Sequence, residues 1–171
     1  MDQVIRCAVL TISTRSSRGE RADTAGPALR KAIEQRLGVV AEYRVLPDDP
    51  AVISGELRRL CDAADVDLVF TLGGTGLAPS DHTPEATEAV IERQVPGIPE
   101  YLRARSVEKT DRAILSRARA GVRAGSLIVN MPGSERAVIE CFEFLLPVLD
   151  HAVELLRGGV TDCARPPSGG G

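Results

Sequence analysis

A glycine-rich segment after a short apolar run constrains the fold of this chain more than any other feature of its sequence. The run Leu68–Leu72 is typical of a strand that is buried on both faces. Three glycines lie within Gly73–Gly76, and Thr83-Pro84 then marks the start of a helix. Backbone amides between a strand and a helix commonly hold phosphate. The segment therefore predicts a phosphate or nucleotide site at the carboxyl end of a parallel sheet.

Apolar runs alternate with amphipathic segments along the rest of the chain. Strands are predicted at four places, Ile5–Ser13, Val39–Leu46, Leu68–Leu72 and Gly125–Asn130. Helices are predicted between and after the strands. The first is capped at Asp23-Thr24 and ended by Gly38, and the next three cover Val52–Ala64, Pro84–Glu92 and Glu100–Val107. The last helix is capped by Ser134 and is kinked or divided at Pro147. Residues 109–124 show no clear periodicity, and a short helix at Ala113–Ala118 is one interpretation of part of them. This alternation indicates an α/β fold, a three-layer α/β/α sandwich with a mostly parallel central sheet.

The composition is that of an ordinary soluble domain, with 43% hydrophobic and 26% charged residues in 171. A formal charge of -3 gives no reason to expect nucleic acid or an anionic membrane as partner, and no apolar run approaches the roughly 20 residues of a membrane span. We expect one domain over residues 1–160, a disordered tail at 161–171, and a cytoplasmic location, since strand-like sequence begins at Val4 without a basic leader. The four cysteines are far apart, which argues against a zinc site or a disulfide framework: Cys7, Cys61, Cys141 and Cys163.

Four polar loops follow the predicted strands, at 13–21, 47–50, 73–83 and 132–134. In a parallel sheet they gather at one edge, where ligands of such folds bind. The glycine cluster lacks the lysine of a Walker A loop, and Pro79 stands where a dinucleotide fingerprint has its last Gly or Ala. A tight turn without a ligand would also use glycines. The spacing alone therefore leaves phosphate binding and a purely structural turn open.

Two carboxylates in these loops stand out because helix capping does not explain them. Asp49 precedes Pro50 and is best explained as a helix cap, and Thr83 precedes a second proline in the same way. Asp48 and Asp81 are then left without an obvious local role. Two such carboxylates at neighbouring strand ends suit a Mg²⁺ ion that bridges phosphate oxygens. The alternative for each is the stabilisation of a turn by its side chain.

Cations and hydroxyls of the other loops are weaker candidates. The loop Thr14–Arg21 carries three arginines, which can clamp phosphate or be simply solvated. Ser134 caps a helix, although a Pro-Gly-Ser turn at a helix start can also bind an anion. His82 and His151 are isolated, and the sequence shows no partner that would make either a general base.

Together these segments resemble the MoaB/Mog family of molybdenum cofactor biosynthesis proteins, the molybdopterin adenylyltransferases. The matching motifs occur in family order: Asp23–Pro27, Pro47-Asp48, Gly73–Gly76 with Pro79 and Asp81, Thr83–Thr87, Leu115–Ala118 and Asn130–Ser134. The resemblance runs from about Ile5 to Arg157, and GGTG followed by D-x-TPEAT is far more specific than a lone glycine motif.

The resemblance implies Mg²⁺-dependent adenylyl transfer from ATP to the terminal phosphate of molybdopterin, with release of pyrophosphate. It implies that Asp48 and Asp81 are catalytic and bind the metal. It further implies that the substrates are held by residues of all the other loops: Ser13, Arg15, Gly73, Gly74, Thr75, Gly76, Pro132, Gly133 and Ser134. The expected partners are molybdopterin and ATP, and the expected assembly is a homo-oligomer, a trimer or hexamer.

The sequence departs from the family pattern at Thr14, where members often carry an acid directly after the first-strand serine. This departure weakens any assignment of metal binding to the first loop. It leaves two alternatives open, a full enzyme or a non-catalytic molybdopterin-binding or scaffold protein of the same pathway. An unrelated nucleotide-binding α/β domain is a third, weaker hypothesis.

Overall fold

Six strands form a single sheet in a computed structural model of the protein, which describes residues 4–158. In chain order they are β1 Ile5–Ile12, β2 Gly38–Leu46, β3 Leu68–Leu72, β4 Arg93–Gln94, β5 Ala120–Arg123 and β6 Ser126–Met131. Their order across the sheet is β2-β1-β3-β6-β5-β4. Strands β2, β1, β3 and β6 are parallel to one another. Strand β5 then pairs antiparallel with β6, and β4 pairs antiparallel with β5. The predicted tail at 161–171 and Cys163 lie outside the described residues.

Helices cover both faces of the sheet. They are α1 Thr14–Ser17, α2 Ala25–Arg36, α3 Pro50–Ala63, α4 Thr83–Glu88, α5 Gly97–Val107 and α6 Glu135–Leu156, with a 3-10 helix at Asp111–Leu115. Neighbouring residues of one strand point to opposite faces. In β3, Phe70 therefore joins a core with α2, α5 and α6, whereas Val69 joins a second core with α3 and α4. The predicted three-layer α/β/α sandwich with a mostly parallel sheet is confirmed.

The two antiparallel strands were missed by the sequence prediction. Residues 120–123 form β5, and the proposed helix at Ala113–Ala118 is wrong because the 3-10 helix ends at Leu115. The predicted helix Pro84–Glu92 is shorter than expected, since α4 ends at Glu88 and the chain then enters β4. Strands of two and four residues carry no periodicity of their own, so only pairing identifies them.

Gly38 and Pro147 also behave differently from the prediction. Gly38 is the first residue of β2, not a left-handed helix cap, and a Cβ there would lie 2.2 Å from the carbonyl oxygen of Ile5. Pro147 does not divide the last helix, because α6 continues through it to Leu156. Pro147 is on the exposed face, where water can satisfy the carbonyl that loses its helical donor.

Candidate functional site

The four loops meet at the carboxyl edge of the parallel strands, as the sequence predicted. They line a polar cavity of about 390 Å³ that contains residues from all of them: Ser13, Asp48, Gly73, Gly74, Asp81, Gly133 and Ser134, together with Arg21 and Asp23. This polar cavity thus brings both predicted carboxylates and most of the predicted binding residues together.

A second cavity, of about 300 Å³, lies beside the same loops and has a mainly apolar wall. Three further residues from the predicted site line it, Thr75, Gly76 and Pro132. Most of the remaining lining of this apolar cavity comes from α5, the 3-10 helix, α6 and the segments that adjoin the 3-10 helix, and it includes Arg103 and Arg112. The glycine loop, residues 73–83, and the Pro-Gly-Ser turn therefore each contribute to both cavities.

The glycine loop needs its glycines for different reasons. Gly73 and Gly74 have φ values of 100° and 66°, in the left-handed region that side chains rarely adopt. A Cβ at Gly74 would lie 2.3 Å from the Thr83 hydroxyl oxygen. At Gly76 the obstacle is Asp81, whose Oδ2 would be 2.9 Å from a Cβ. The loop is therefore built closely around Thr83 and Asp81.

Every carbonyl of Gly73–Gly76 accepts a hydrogen bond from the protein. The Thr83 hydroxyl and amide donate to the first two at 2.9 and 3.1 Å, and the Arg117 amide and Nε donate to the last two at 2.9 and 2.7 Å. The four amides of Gly74–Leu77, in contrast, donate to no acceptor within residues 4–158. Backbone amides in a folded protein normally find an acceptor. These four are consequently available to an anionic ligand, as in other phosphate-binding loops.

Asp48 has a structural contact that the sequence did not reveal. Its Oδ2 accepts hydrogen bonds from the Thr14 amide at 2.7 Å and from the Thr14 hydroxyl at 2.8 Å, and its own amide donates to that hydroxyl at 2.9 Å. Asp48 therefore has no part in capping α3, as expected, but it is held by a contact with a loop 34 residues away. Asp49, as predicted, caps α3 by accepting from the amides of Ala51 and Val52.

Asp81 likewise has a local contact, because its Oδ2 accepts from the Ala78 amide at 3.0 Å. Thr83 is not the cap of α4, since its hydroxyl donates to the Gly73 carbonyl instead. The turn-stabilising alternative thus holds for one oxygen of Asp81, whereas one oxygen of Asp48 joins two separate loops. Asp48 and Asp81 each retain a second oxygen, and both side chains line the polar cavity.

Two carboxylates suit Mg²⁺ only if a bound ligand supplies the remaining coordination positions. No group of three or more His, Cys, Asp or Glu able to hold a metal ion occurs in the described part of the chain. Mg²⁺ often binds proteins through one or two carboxylates, with substrate phosphates and water completing its octahedron. The donor set of Asp48 and Asp81 fits that pattern.

Asp23 is a cavity residue that sequence reasoning treated only as a helix cap. Its Oδ1 does support the start of α2, because it accepts a hydrogen bond from the Gly26 amide at 3.1 Å. Its Oδ2 also accepts from the Thr11 hydroxyl at 2.7 Å and from the Tyr43 hydroxyl. Burial, together with the Asp23 carboxylate, raises the pKa of Tyr43 to about 12. No local signal links these residues, since they come from β1, β2 and the loop between α1 and α2.

The remaining candidates have simpler positions. Ser13 and Ser134 cap α1 and α6 and also line the polar cavity. Arg15 is exposed and lines neither cavity, whereas Arg21 of the same loop lines the polar one. His151 lies far along α6, exposed, with Glu154 as its neighbour at 3.5 Å.

The protein is an α/β/α sandwich whose cavities and two carboxylates lie at the carboxyl edge of a parallel sheet. Open α/β proteins bind their ligands at this edge, so the fold and site define a ligand-binding protein of that class. Within that class the sequence is specific. Residues 8–151 match the protein family described as "Probable molybdopterin binding domain". A curated molybdopterin adenylyltransferase from Helicobacter pylori is 39% identical over 158 residues, which cover 91% of this chain and 90% of that protein.

Solved structures agree with the sequence comparison. The molybdopterin biosynthesis enzyme MoaB from Thermus thermophilus is 45% identical, with a TM-score of 0.85 over 90% of this chain and 97% of that one. The tungsten cofactor synthesizing protein MoaB from Pyrococcus furiosus is 28% identical, with a TM-score of 0.83 over 92% and 99%. This chain therefore belongs to the MoaB/Mog family of molybdenum cofactor biosynthesis proteins.

Proposed function

We propose that this protein transfers the adenylyl group of ATP to the terminal phosphate of molybdopterin and releases pyrophosphate. The observation that carries the proposal is the set of four unbonded amides at Gly74–Leu77, in the loop whose Gly74 and Asp81 line the polar cavity together with Asp48. Family membership supports the same reaction, because relatives similar over most of their length are named molybdopterin adenylyltransferases.

The reaction joins two phosphate-bearing substrates, and the site divides into matching parts. The polar cavity, with Asp48, Asp81 and the helix start at Ser134, takes the reacting phosphates. The loop amides hold phosphate oxygens by hydrogen bonds that are directed at negative charge. Mg²⁺ bound by Asp48 and Asp81 would neutralise charge on the triphosphate.

No strong base is needed in this site. A phosphate monoester has a second pKa near 6 and is largely dianionic at neutral pH. The attacking oxygen therefore does not have to lose a proton to the protein. Alignment of the two substrates and charge stabilisation account for the rate, which agrees with the absence of a paired histidine from the cavity linings in residues 4–158.

The apolar cavity is suited to a flat heterocycle of one substrate. Its wall includes Leu102 and Ala118, and Lys109 and Arg112 at its edge form no ion pair within the described residues. A ring can pack on the apolar wall while the cations attract its anionic groups. Because the glycine loop borders both cavities, the ring of a substrate in the apolar cavity would lie beside the loop that binds its phosphate.

Further properties are proposed from the family resemblance. We expect a single molybdopterin-binding domain over residues 1–160, a cytoplasmic location and a homo-oligomer, a trimer or hexamer. Exposed apolar side chains on α5 and α6, such as Tyr101 and Val148 at 42% and 52% exposure, offer a surface for self-association. Multi-angle light scattering would give the number of subunits. None of the described helices is long and apolar enough to cross a membrane.

One observation favours the non-catalytic alternative. Thr14, which stands where family members often carry an acid, occupies one oxygen of Asp48 with two hydrogen bonds. If this contact keeps Asp48 from the metal, the protein would bind molybdopterin without adenylylating it. Saturable molybdopterin binding without metal-dependent ATP turnover would identify that function.

The test is to incubate the purified protein with molybdopterin, Mg-ATP and pyrophosphatase and to quantify adenylylated molybdopterin by mass spectrometry. Wild type should form the product. Asp48→Asn and Asp81→Asn should lose most of the turnover while keeping the wild-type circular dichroism spectrum. The proposal fails if folded wild type forms no product, or if both variants turn over like wild type.

A further inference from the structure

Arg117 makes four contacts with the segment that forms the glycine loop and its following helix. Its amide donates to the Thr75 carbonyl at 2.9 Å and its Nε donates to the Gly76 carbonyl at 2.7 Å. Its Nη2 donates to the Asp81 carbonyl at 2.7 Å, and its Nη1 pairs with the Glu85 carboxylate. One side chain therefore connects Gly76 and Asp81 of the glycine loop with Glu85 on α4.

Arg117 is itself held from two directions. Arg103 on α5 donates to the carbonyls on either side of it, those of Ser116 and Ala118, at 3.3 and 3.4 Å. The next residue but one, Arg119, is paired with buried Asn130 through hydrogen bonds of 3.0 and 2.9 Å. The guanidinium thus extends from a fixed backbone and does not depend on the loop for its position.

The contacts of Arg117 also determine where loop amides point. The carbonyl of one residue and the amide of the next point in opposite directions across a trans peptide, and residues 4–158 contain no cis peptide bond. By binding the carbonyls of Thr75 and Gly76, Arg117 turns the amides of Gly76 and Leu77 the other way. Those two amides have no acceptor within the described chain.

We propose that Arg117 is a positioning residue that orients the amides of Gly76 and Leu77, and the backbone of Asp81, toward the phosphates of the substrate. The inference rests on the proposed adenylyl transfer. Arg117 is poorly suited to be a phosphate ligand in its own right, because each of its three guanidinium nitrogens already donates to a loop carbonyl or to Glu85. Burial, the largest single influence, raises the pKa of Glu85, but the hydrogen bond and charge of Arg117 act together with a backbone hydrogen bond to lower the pKa below its usual value.

Substitution of Arg117 tests this role through the Michaelis constant. Arg117→Ala keeps the backbone bond to Thr75 but loses the three side-chain contacts, and Arg117→Lys keeps the charge and one of them at most. A misplacement of about 1 Å in an active site can cost about a hundredfold in rate. We expect Arg117→Ala to raise KM for Mg-ATP and to lower kcat/KM by about tenfold to a hundredfold. Arg117→Lys should fall between Arg117→Ala and wild type.

Two further variants and one additive separate positioning from general structure. Glu85→Gln removes one exposed partner only and should leave KM within about twofold of wild type. Arg30→Ala, which breaks a comparable ion pair on α2, should not change KM. Guanidinium ion at millimolar concentration should partly restore Arg117→Ala, because the Arg117 side chain is 34% exposed and its place is accessible to solute.

A loss of folded protein would lower kcat in proportion to the folded fraction and leave KM unchanged, and that result would overturn the proposal. Calorimetric binding of inorganic pyrophosphate provides the second measurement. If wild type binds pyrophosphate but makes no adenylylated product, the proposed function fails, and weaker pyrophosphate binding by Arg117→Ala still supports the positioning role. Equal pyrophosphate affinity in wild type and Arg117→Ala contradicts it.

Discussion

Gly76→Ala should lower enzymatic activity with little change in stability, because the new Cβ would meet the side chain of Asp81 and not the backbone. The new Cβ would lie 2.9 Å from Oδ2 of Asp81, with nothing else nearer than the carbon of the same carboxylate at 3.9 Å. Gly76 is not among the described glycines with positive φ, so alanine brings no left-handed strain. The carboxylate of Asp81 must therefore move, and the hydrogen bond that it accepts from the Ala78 amide is disturbed.

The expected loss of stability is small. A disturbed hydrogen bond costs about 1 kcal/mol, and replacing glycine stabilises the protein by about 0.4 to 1 kcal/mol through the unfolded chain. The free energy of unfolding should therefore change by less than about 1 kcal/mol. Activity should fall by about tenfold to a hundredfold, which corresponds to roughly 1.4 to 2.7 kcal/mol in the barrier.

Urea unfolding and steady-state adenylyl transfer measure the two effects on the same preparation. Gly55→Ala is the matched control, because a Cβ there meets nothing within 4 Å and the site is inside α3. That variant should be stabilised by about 0.5 to 1 kcal/mol and remain fully active. If Gly76→Ala keeps wild-type kcat, or loses activity only in step with its stability, Asp81 does not work through the position that the structure shows.

Three further substitutions test other parts of the structure. Gly74 and Gly125 both have left-handed φ values, 66° and 86°, but only at Gly74 would a Cβ clash with a hydrogen-bonded side chain. Urea unfolding should therefore show Gly74→Ala to be about 1 to 2 kcal/mol less stable than its control Gly125→Ala. Equal losses of stability in the two variants would refute the close packing of Gly74 against Thr83. Glu56 has a pKa lowered mainly by hydrogen bonding to Arg59, against burial. Glu56→Gln should therefore cost about 1 kcal/mol at pH 7. The deficit should shrink in urea titrations as the pH falls toward and through the lowered pKa of Glu56, and a deficit of equal size at about pH 7 and about pH 3 would exclude a charge effect. Thr14→Val removes one of the two hydrogen bonds to Oδ2 of Asp48. It should lower the Mg²⁺ concentration that is needed for half-maximal adenylyl transfer. An unchanged Mg²⁺ requirement would show that this hydrogen bond does not compete with the metal.

The sequence predicted the parallel part of the fold because its signals are local. The central strands are runs of mostly apolar residues, and the long helices beside them have one apolar face. Asp49 was assigned as a helix cap from its proline neighbour, and the structure confirms it. The same reasoning failed for Thr83, because its hydroxyl donates a hydrogen bond to the carbonyl of Gly73, ten residues away. Local chemistry cannot reveal such a competing partner.

The convergence of the loops at one edge of the sheet was predictable from the sequence, but the hydrogen bonds within the site were not. Parallel topology alone brings Asp48 and Asp81 to one edge, as the sequence indicated. The Thr14 contact to Asp48 spans 34 residues, and the Arg117 contact to Gly76 spans 41. Both depend on how separate loops pack. Arg117 lay in a motif that matched the family, yet its role became visible only with the orientation of the loop carbonyls.

A crystal structure with molybdopterin, Mg²⁺ and a non-hydrolysable ATP analogue would show whether the glycine loop and the two carboxylates form the reaction site. We expect phosphate oxygens within hydrogen-bonding distance of the amides of Gly74–Leu77, and one metal ion in contact with both Asp48 and Asp81. A nucleotide whose phosphates lie outside the polar cavity, or a metal that touches neither carboxylate, would contradict the proposed reaction site.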